Sequence, residues 1–115
     1  MVQIILSWPP TANTYWRRQG ARYFISPKGQ KYRLDTIKTC IPFRNHFKDD
    51  DRLKLSIKAF PPDKRRRDLD NLFKSVLDSL QFACVYKDDN QIDELSIKRM
   101  PINDGFIIID IDCIS

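Results

Sequence analysis

Residues 53–80 read LKLSIKAFPPDKRRRDLDNLFKSVLDSL, and two periodicities meet inside them. Leu53, Leu55, Ile57 and Ala59 alternate with Lys54, Ser56 and Lys58, which predicts a half-buried strand from Arg52 to Phe60. Pro61-Pro62-Asp63 ends that strand. Leu69, Leu72, Phe73, Val76, Leu77 and Leu80 then fall at i, i+3, i+4, i+7, i+8 and i+11, the apolar stripe of a helix.

Between strand and helix lies a run of four cations, Lys64, Arg65, Arg66 and Arg67, which attracts phosphate. Asp68 and Asp70 follow, and carboxylates there repel phosphate unless a hard divalent ion such as Mg²⁺ sits between the two. In a regular helix, residues i and i+2 point about 200° apart. Asp68 and Asp70 therefore converge on one ion only across a helix boundary, and the pattern places them at one. Lys74 is the i+4 neighbour of Asp70, and a second acidic pair, Asp88-Asp89, stands beyond the helix. This grouping points to metal-dependent cutting of a nucleic acid backbone. Each part also has a plainer explanation. A basic run beside acids is commonly a solvated loop, an Asp ahead of a helix is an N-cap, and Asp70 with Lys74 is a surface pair worth about 0.3–0.5 kcal/mol.

Outward from this stretch, Val2, Ile4 and Leu6 predict a first strand ending at Pro9-Pro10. Tyr15 to Arg18 and Arg22 to Ile25 predict two short arms around Gln19-Gly20, a hairpin or flap. Arg17 and Arg18 among its rings suit a nucleic acid surface. Ser26-Pro27 opens a helix to about Cys40 that is expected to bury Leu34, Ile37 and Ile41. Gln91 to Met100 and Phe106 to Ile114 predict two last strands, a hairpin turning near Asn103-Asp104-Gly105, with Ile107, Ile109, Ile111 and Cys113 inward. The expected fold is α+β, a mixed sheet with two main helices packed on it, in a single domain over residues 1–115.

The 115 residues carry a net charge of +5, which favours a polyanionic partner. Cys40, Cys84 and Cys113 are odd in number and widely spaced, against a disulfide framework or a zinc ribbon. His46 is the only histidine and reads as a surface residue, and Asp49-Asp50-Asp51 reads as a solvated loop. Carboxylates and a metal remain as catalytic tools. No apolar run is long enough to span a membrane and the N-terminus lacks a signal-peptide n-region, so the expected location is the cytoplasm.

From Leu6 to Ile114 the chain resembles the RusA family of Holliday-junction resolvases. The resemblance rests on Trp8-Pro9-Pro10-Thr11-Ala12-Asn13, on Ser26-Pro27-Lys28-Gly29-Gln30-Lys31-Tyr32-Arg33, on Arg65 to Leu72 with Lys74, and on Val85 to Ile92. It implies a RusA-like fold and a homodimeric endonuclease that resolves four-way DNA junctions with Mg²⁺, for which Mn²⁺ substitutes. The family's essential acids match Asp68, Asp70 and Asp89, and its essential lysine matches Lys74. Asp88 occupies the neighbouring acidic position as a metal support. Lys64, Arg65, Arg66, Arg67, Asn71, Arg17 and Arg18 are the candidate DNA contacts. Phe82 and Cys84 stand where the family usually shows glycines after the long helix, and Lys87 where an acid is common. Two other functions fit the same residues: a non-catalytic module binding branched DNA, and a metal-dependent nuclease acting on other DNA structures.

Overall fold

The computed structural model describes residues 1–114. Its centre is a four-stranded sheet built from β1 (Val2–Ser7), β4 (Leu53–Phe60), β5 (Ile92–Arg99) and β6 (Phe106–Cys113). The strand order is β1-β6-β4-β5, with β6 antiparallel to both neighbours and β4 parallel to β5. The period-two alternation sets one inward face: Ile4, Ile109 and Ile57 stand in register, as do Val2, Ile111 and Leu55, and all six are buried. Two helices, α2 (Pro27–Thr39) and α3 (Phe73–Phe82), pack on that face, giving the expected α+β architecture with a mixed sheet. A separate hairpin, β2 (Trp16–Gln19) and β3 (Arg22–Ile25), follows a single helical turn, α1 (Ala12–Tyr15).

Three details depart from the expectation. First, β5 and β6 do not pair as a hairpin, because β4 lies between them. The segment from β4 through α3 to β5 is instead a crossover between parallel strands, which needs a connection long enough for a helix. Second, α2 turns a different face inward. Ile37 packs partly buried against the core as expected, but Leu34 is 58% exposed and Ile41, in the 3₁₀ turn after the helix, 66% exposed, while Gly29, Tyr32, Thr36 and Cys40 are buried. That stripe keeps the i, i+3, i+4 spacing but is mostly small or polar. It is satisfied internally: the Thr36 hydroxyl donates to the Tyr32 carbonyl at 2.7 Å, and the Tyr32 hydroxyl to the Ser7 carbonyl at 2.8 Å. Third, Cys113 is exposed at the end of β6, although Ile107, Ile109 and Ile111 point inward as expected.

Tyr15 begins neither strand nor flap. It ends α1 and is completely buried. Its carbonyl accepts the Ser26 amide at 3.0 Å, and Ser26 caps α2 by accepting the Gly29 amide at 3.0 Å. A Cβ on Gly29 would stand 2.6 Å from that same Tyr15 carbonyl oxygen, so glycine is what lets the helix dock this closely. At the other end of α3, Cys84 takes φ 63, the left-handed conformation that ends a helix and favours glycine.

Two stability changes follow. Gly29→Ala should destabilise the fold by about 1–3 kcal/mol, read from urea unfolding, because backbone rather than a flexible side chain must give way. Cys84→Gly should act oppositely and raise stability by about 1 kcal/mol, since it relieves a positive φ; an unchanged or lower urea midpoint would contradict that assignment.

Candidate active site around the third helix

Asp68 stands where the loop after β4 becomes helix. Its backbone is still extended, at φ −87 and ψ 126, and a 3₁₀ turn over Leu69–Leu72 leads from it into α3. An Asp at this position ordinarily caps the helix. Here its carboxylate makes no capping hydrogen bond; the Asn71 amide reaches the Asp68 carbonyl at 3.3 Å instead. Asp68, Asp70 and Asn71 are all exposed, and Asp68 and Asp70 straddle the boundary that the sequence predicts. Lys74 lies one turn further on, exposed, and lines a cleft of about 390 Å³ with Ala12, Asn13, Trp16 and Tyr23.

The second acidic pair is built differently. Asp88 caps a 3₁₀ turn over Asp89–Gln91, accepting the Asn90 amide at 3.0 Å, while the Gln91 side chain accepts the Asp88 amide at 3.1 Å. Gln91 is buried and its amide nitrogen donates to the carbonyls of Lys48 and Asp51, at 2.9 and 3.0 Å. The acidic loop at 49–51 is thus an anchor for this turn. Lys87 pairs with Asp49 at 3.2 Å. Asp89 is half-buried, with its amide on the Gln81 side chain at 2.8 Å and one carboxylate oxygen 2.8 Å from the Tyr86 hydroxyl. Burial raises its pKa above the ordinary carboxylate range; the Tyr86 bond opposes the rise, and the neighbouring carboxylates of Asp78 and Asp88 reinforce it.

The structure therefore gathers the candidate acids as two pairs. The Tyr86 hydroxyl that holds Asp89 is also 2.9 Å from the Leu77 carbonyl. Asp70 precedes Leu77 by seven residues, three through the 3₁₀ turn at about 2.0 Å each and four along α3 at about 1.5 Å each, so roughly 12 Å along the axis. Among the described residues, no three His, Cys, Asp or Glu side chains are grouped closely enough to hold one ion. In donor chemistry, though, both pairs offer only carboxylate oxygen, which suits a hard divalent cation and not a soft one.

The basic run also divides. Arg67 pairs with Asp63 at 2.8 Å, donates to the carbonyls of Asp63 and Arg65, and lies 5.7 Å from the Trp8 ring centroid. It is a strut of the loop. Hydrogen bonds from Arg67 and from the Arg65 backbone amide hold Asp63 well below the usual carboxylate range, at about 2. Arg65 is 84% exposed with only a 3.8 Å approach to Asp63, and Lys64 and Arg66 are exposed. On the hairpin, Arg17 and Arg18 are exposed on opposite faces, since neighbouring strand residues alternate. Arg18 stacks 5.6 Å from the ring centroid of Tyr23, its cross-strand partner.

One element escaped the sequence reading. Asp78, one turn beyond Lys74 on α3, accepts hydrogen bonds from the Tyr15 hydroxyl and from Arg33 Nε at 2.8 Å. Arg33 also donates to Tyr15 at 2.9 Å and lies 4.2 Å from the Phe82 ring centroid. Its partners are far apart in sequence; only the stripe of Asp70, Lys74 and Asp78, each four residues from the last, could have flagged it. His46 is exposed, edge-on to Phe47, as expected for a surface residue.

Residues 7–112 match the family model for endodeoxyribonuclease RusA. A crossover junction endodeoxyribonuclease of Enterobacteria phage HK97 is 45% identical over 97 residues, which cover 84% of this chain and 81% of that protein. Those of Shigella sonnei and of Enterobacteria phage 82 are 39% and 36% identical, each match covering 89% of this chain and 85% of the relative. With the match running from the end of β1 to the end of β6 and taking in both acidic pairs, the chain belongs to the RusA family.

Proposed function

We propose that this protein is a structure-selective endodeoxyribonuclease that resolves four-way DNA junctions by paired, symmetric phosphodiester cuts. The observation that carries this reading is the pair of exposed carboxylates at the start of α3, relieved of capping, with Lys74 one turn away and free cations just ahead. The matched relatives are named for crossover junctions, and this chain spans most of their length.

Asp68 with Asp70, and Asp89 with Asp88 alongside, would hold Mg²⁺, or Mn²⁺ in its place, through carboxylate oxygen. When bound, such an ion polarises a phosphoryl oxygen and lowers the pKa of its water. The chain's own residues do the rest. Lys74 places a mobile ammonium where negative charge grows on the phosphate or the departing oxygen. Tyr86 fixes Asp89 by one oxygen. Lys64, Arg65 and Arg66 meet flanking phosphates and set register without reading sequence. Two cuts related by symmetry call for two sites, which a two-fold homodimer supplies.

Asp70→Asn should lower junction cutting in Mg²⁺ by on the order of 100-fold or more, while junction binding in EDTA or Ca²⁺ stays intact. A wild-type protein that binds junctions and cuts none in Mg²⁺ or Mn²⁺ would instead identify a non-catalytic module. Equal cutting of a junction and a linear duplex of the same sequence would leave a nuclease without the junction preference.

The divided basic run gives a second test. Arg66→Ala should reduce the salt slope of duplex binding by about 0.9 and leave the unfolding temperature unchanged. Arg67→Ala should lower the unfolding temperature and move the slope little. Because Asp63 titrates at about 2, below its unfolded value, its contact with Arg67 is complete at neutral pH. That contact is lost only as pH falls through about 2, and an NMR titration of the Asp63 carboxyl reads it directly.

A further inference from the structure

Apart from Lys74, the groups that line the cleft beside it have no part in the chemistry just described. The cleft is walled by two aromatic rings of the hairpin, Trp16 and Tyr23, floored by Ala12 and Asn13 of α1, and bounded by Lys74 of α3, and it encloses about 390 Å³. Strand register explains the wall. Trp16 pairs with Ile25 and Arg18 with Tyr23, so these four share one hairpin face, while Arg17 and Phe24 share the other. Trp16 is half-buried against Tyr15 and held in place by that ring, edge-on at 5.6 Å between centroids. Tyr23 is 65% exposed, an aromatic surface that the core does not use. Among the described residues Lys74 is the one cation that lines the cleft; Arg18, outside the lining, lies 5.6 Å from the Tyr23 ring centroid.

Two rings, one primary amide and one cation make a distinctive set of lining groups. Flat aromatic walls suit a flat, weakly polar guest. The Asn13 amide offers one acceptor and a donor pair to that guest's edge. A lysine in the lining suits a guest that carries phosphate. A nucleotide turned out of its stack has all three properties, and base–aromatic stacking tolerates any base.

Resting on the nuclease reading above, we propose that this cleft receives one unstacked nucleobase of the DNA substrate, with its phosphate directed to Lys74. The base is held between Trp16 and Tyr23. An arm that is fully stacked presents no such base, and turning a base out costs least where it has already lost a pairing or stacking neighbour. The cleft would thereby set selectivity for branched over continuous DNA, and Tyr23, Trp16 and Asn13 would be positioning residues that act by placing the phosphate against Lys74.

The test pairs a side-chain deletion with a base deletion. Cutting rates are measured for wild type and Tyr23→Ala on a four-way junction and on junctions carrying a single abasic nucleotide at each position flanking the cut. Tyr23→Ala should slow cutting of the intact junction on the order of 10- to 100-fold. An abasic nucleotide at one position should slow the wild type to the same degree and slow Tyr23→Ala no further. Losses that multiply at every position, or a Tyr23→Ala rate equal to wild type, would overturn the proposal. Should the wild type cut no junction at all, the nuclease reading falls, and a binding measurement still decides the cleft. In Trp8→Phe, which leaves Trp16 as the only tryptophan, a short single-stranded oligonucleotide in EDTA should quench the remaining fluorescence. An abasic strand of the same length should not. Equal quenching by both, or by neither, would sink the cleft as a base site whatever the enzyme does.

Discussion

A carboxylate in the seam between two helices sets the geometry of this protein. Asp78 is tolerable there because Tyr15 and Arg33 both donate to it, and a partly buried charge is costly only when it lacks such partners. Each partner belongs to a different element, so this one acceptor ties α1, α2 and α3 together. Tyr15 is held from three directions: its hydroxyl on Asp78, its ring in the core, and its carbonyl on the start of α2. Burial first, and then the bond to Asp78, pushes its hydroxyl up to about 12, so it remains a donor throughout the physiological range. Because β2 begins at the next residue, fixing Tyr15 fixes the root of the hairpin. The wall of the cleft beside Lys74 is therefore positioned by a carboxylate one turn away on the same helix.

The acids placed at the site differ in how firmly they are held, and the difference follows from their neighbours. Asp68 and Asp70 sit at a helix start with no hydrogen-bonding obligations among the described residues, so they keep their oxygen atoms for a ligand. Asp89 is held by Tyr86 and Gln81 and is partly desolvated, which favours its neutral form. A cation would reverse that preference by favouring the ionised carboxylate. Asp88 is occupied in capping the turn that carries Asp89. It supports the pair through backbone geometry as much as through charge, an account that does not require it to touch an ion.

Much of this was legible in the chain, for identifiable reasons. The strand at 53–60 and the helix after Asp68 announce themselves because burial alone decides their pattern: Leu53, Leu55 and Ile57 must alternate, and Leu72, Val76 and Leu80 must fall on one stripe. The inward face of α2 was not legible, because it is chosen by close approach and hydrogen bonding. Gly29 and Thr36 face inward for those reasons, and the more apolar Leu34 faces water. The β5–β6 hairpin was expected from adjacency, and the strand that separates them is fixed by the crossover through α3, which no local pattern encodes. The Asp78 network joins residues 63 and 45 positions apart, beyond any periodicity.

The cationic run shows why charge count is a poor guide to a binding surface. Four adjacent positive side chains look equivalent in sequence, yet a single acid, Asp63, recruits one of them wholly and another loosely. The loop after β4 must turn sharply to reach the helix, and its carbonyls need donors; Arg67 supplies these while covering Trp8. Arg99 adds another by donating to the Arg67 carbonyl at 2.7 Å. A guanidinium spent on its own backbone is not available to a phosphate. What it contributes is position: by stiffening residues 63–67 it presents Lys64 and Arg66 outward and delivers Asp68 in the extended conformation that leaves its carboxylate uncommitted. The candidate site thus rests on a loop braced by one arginine whose own guanidinium is turned to its backbone and to Asp63.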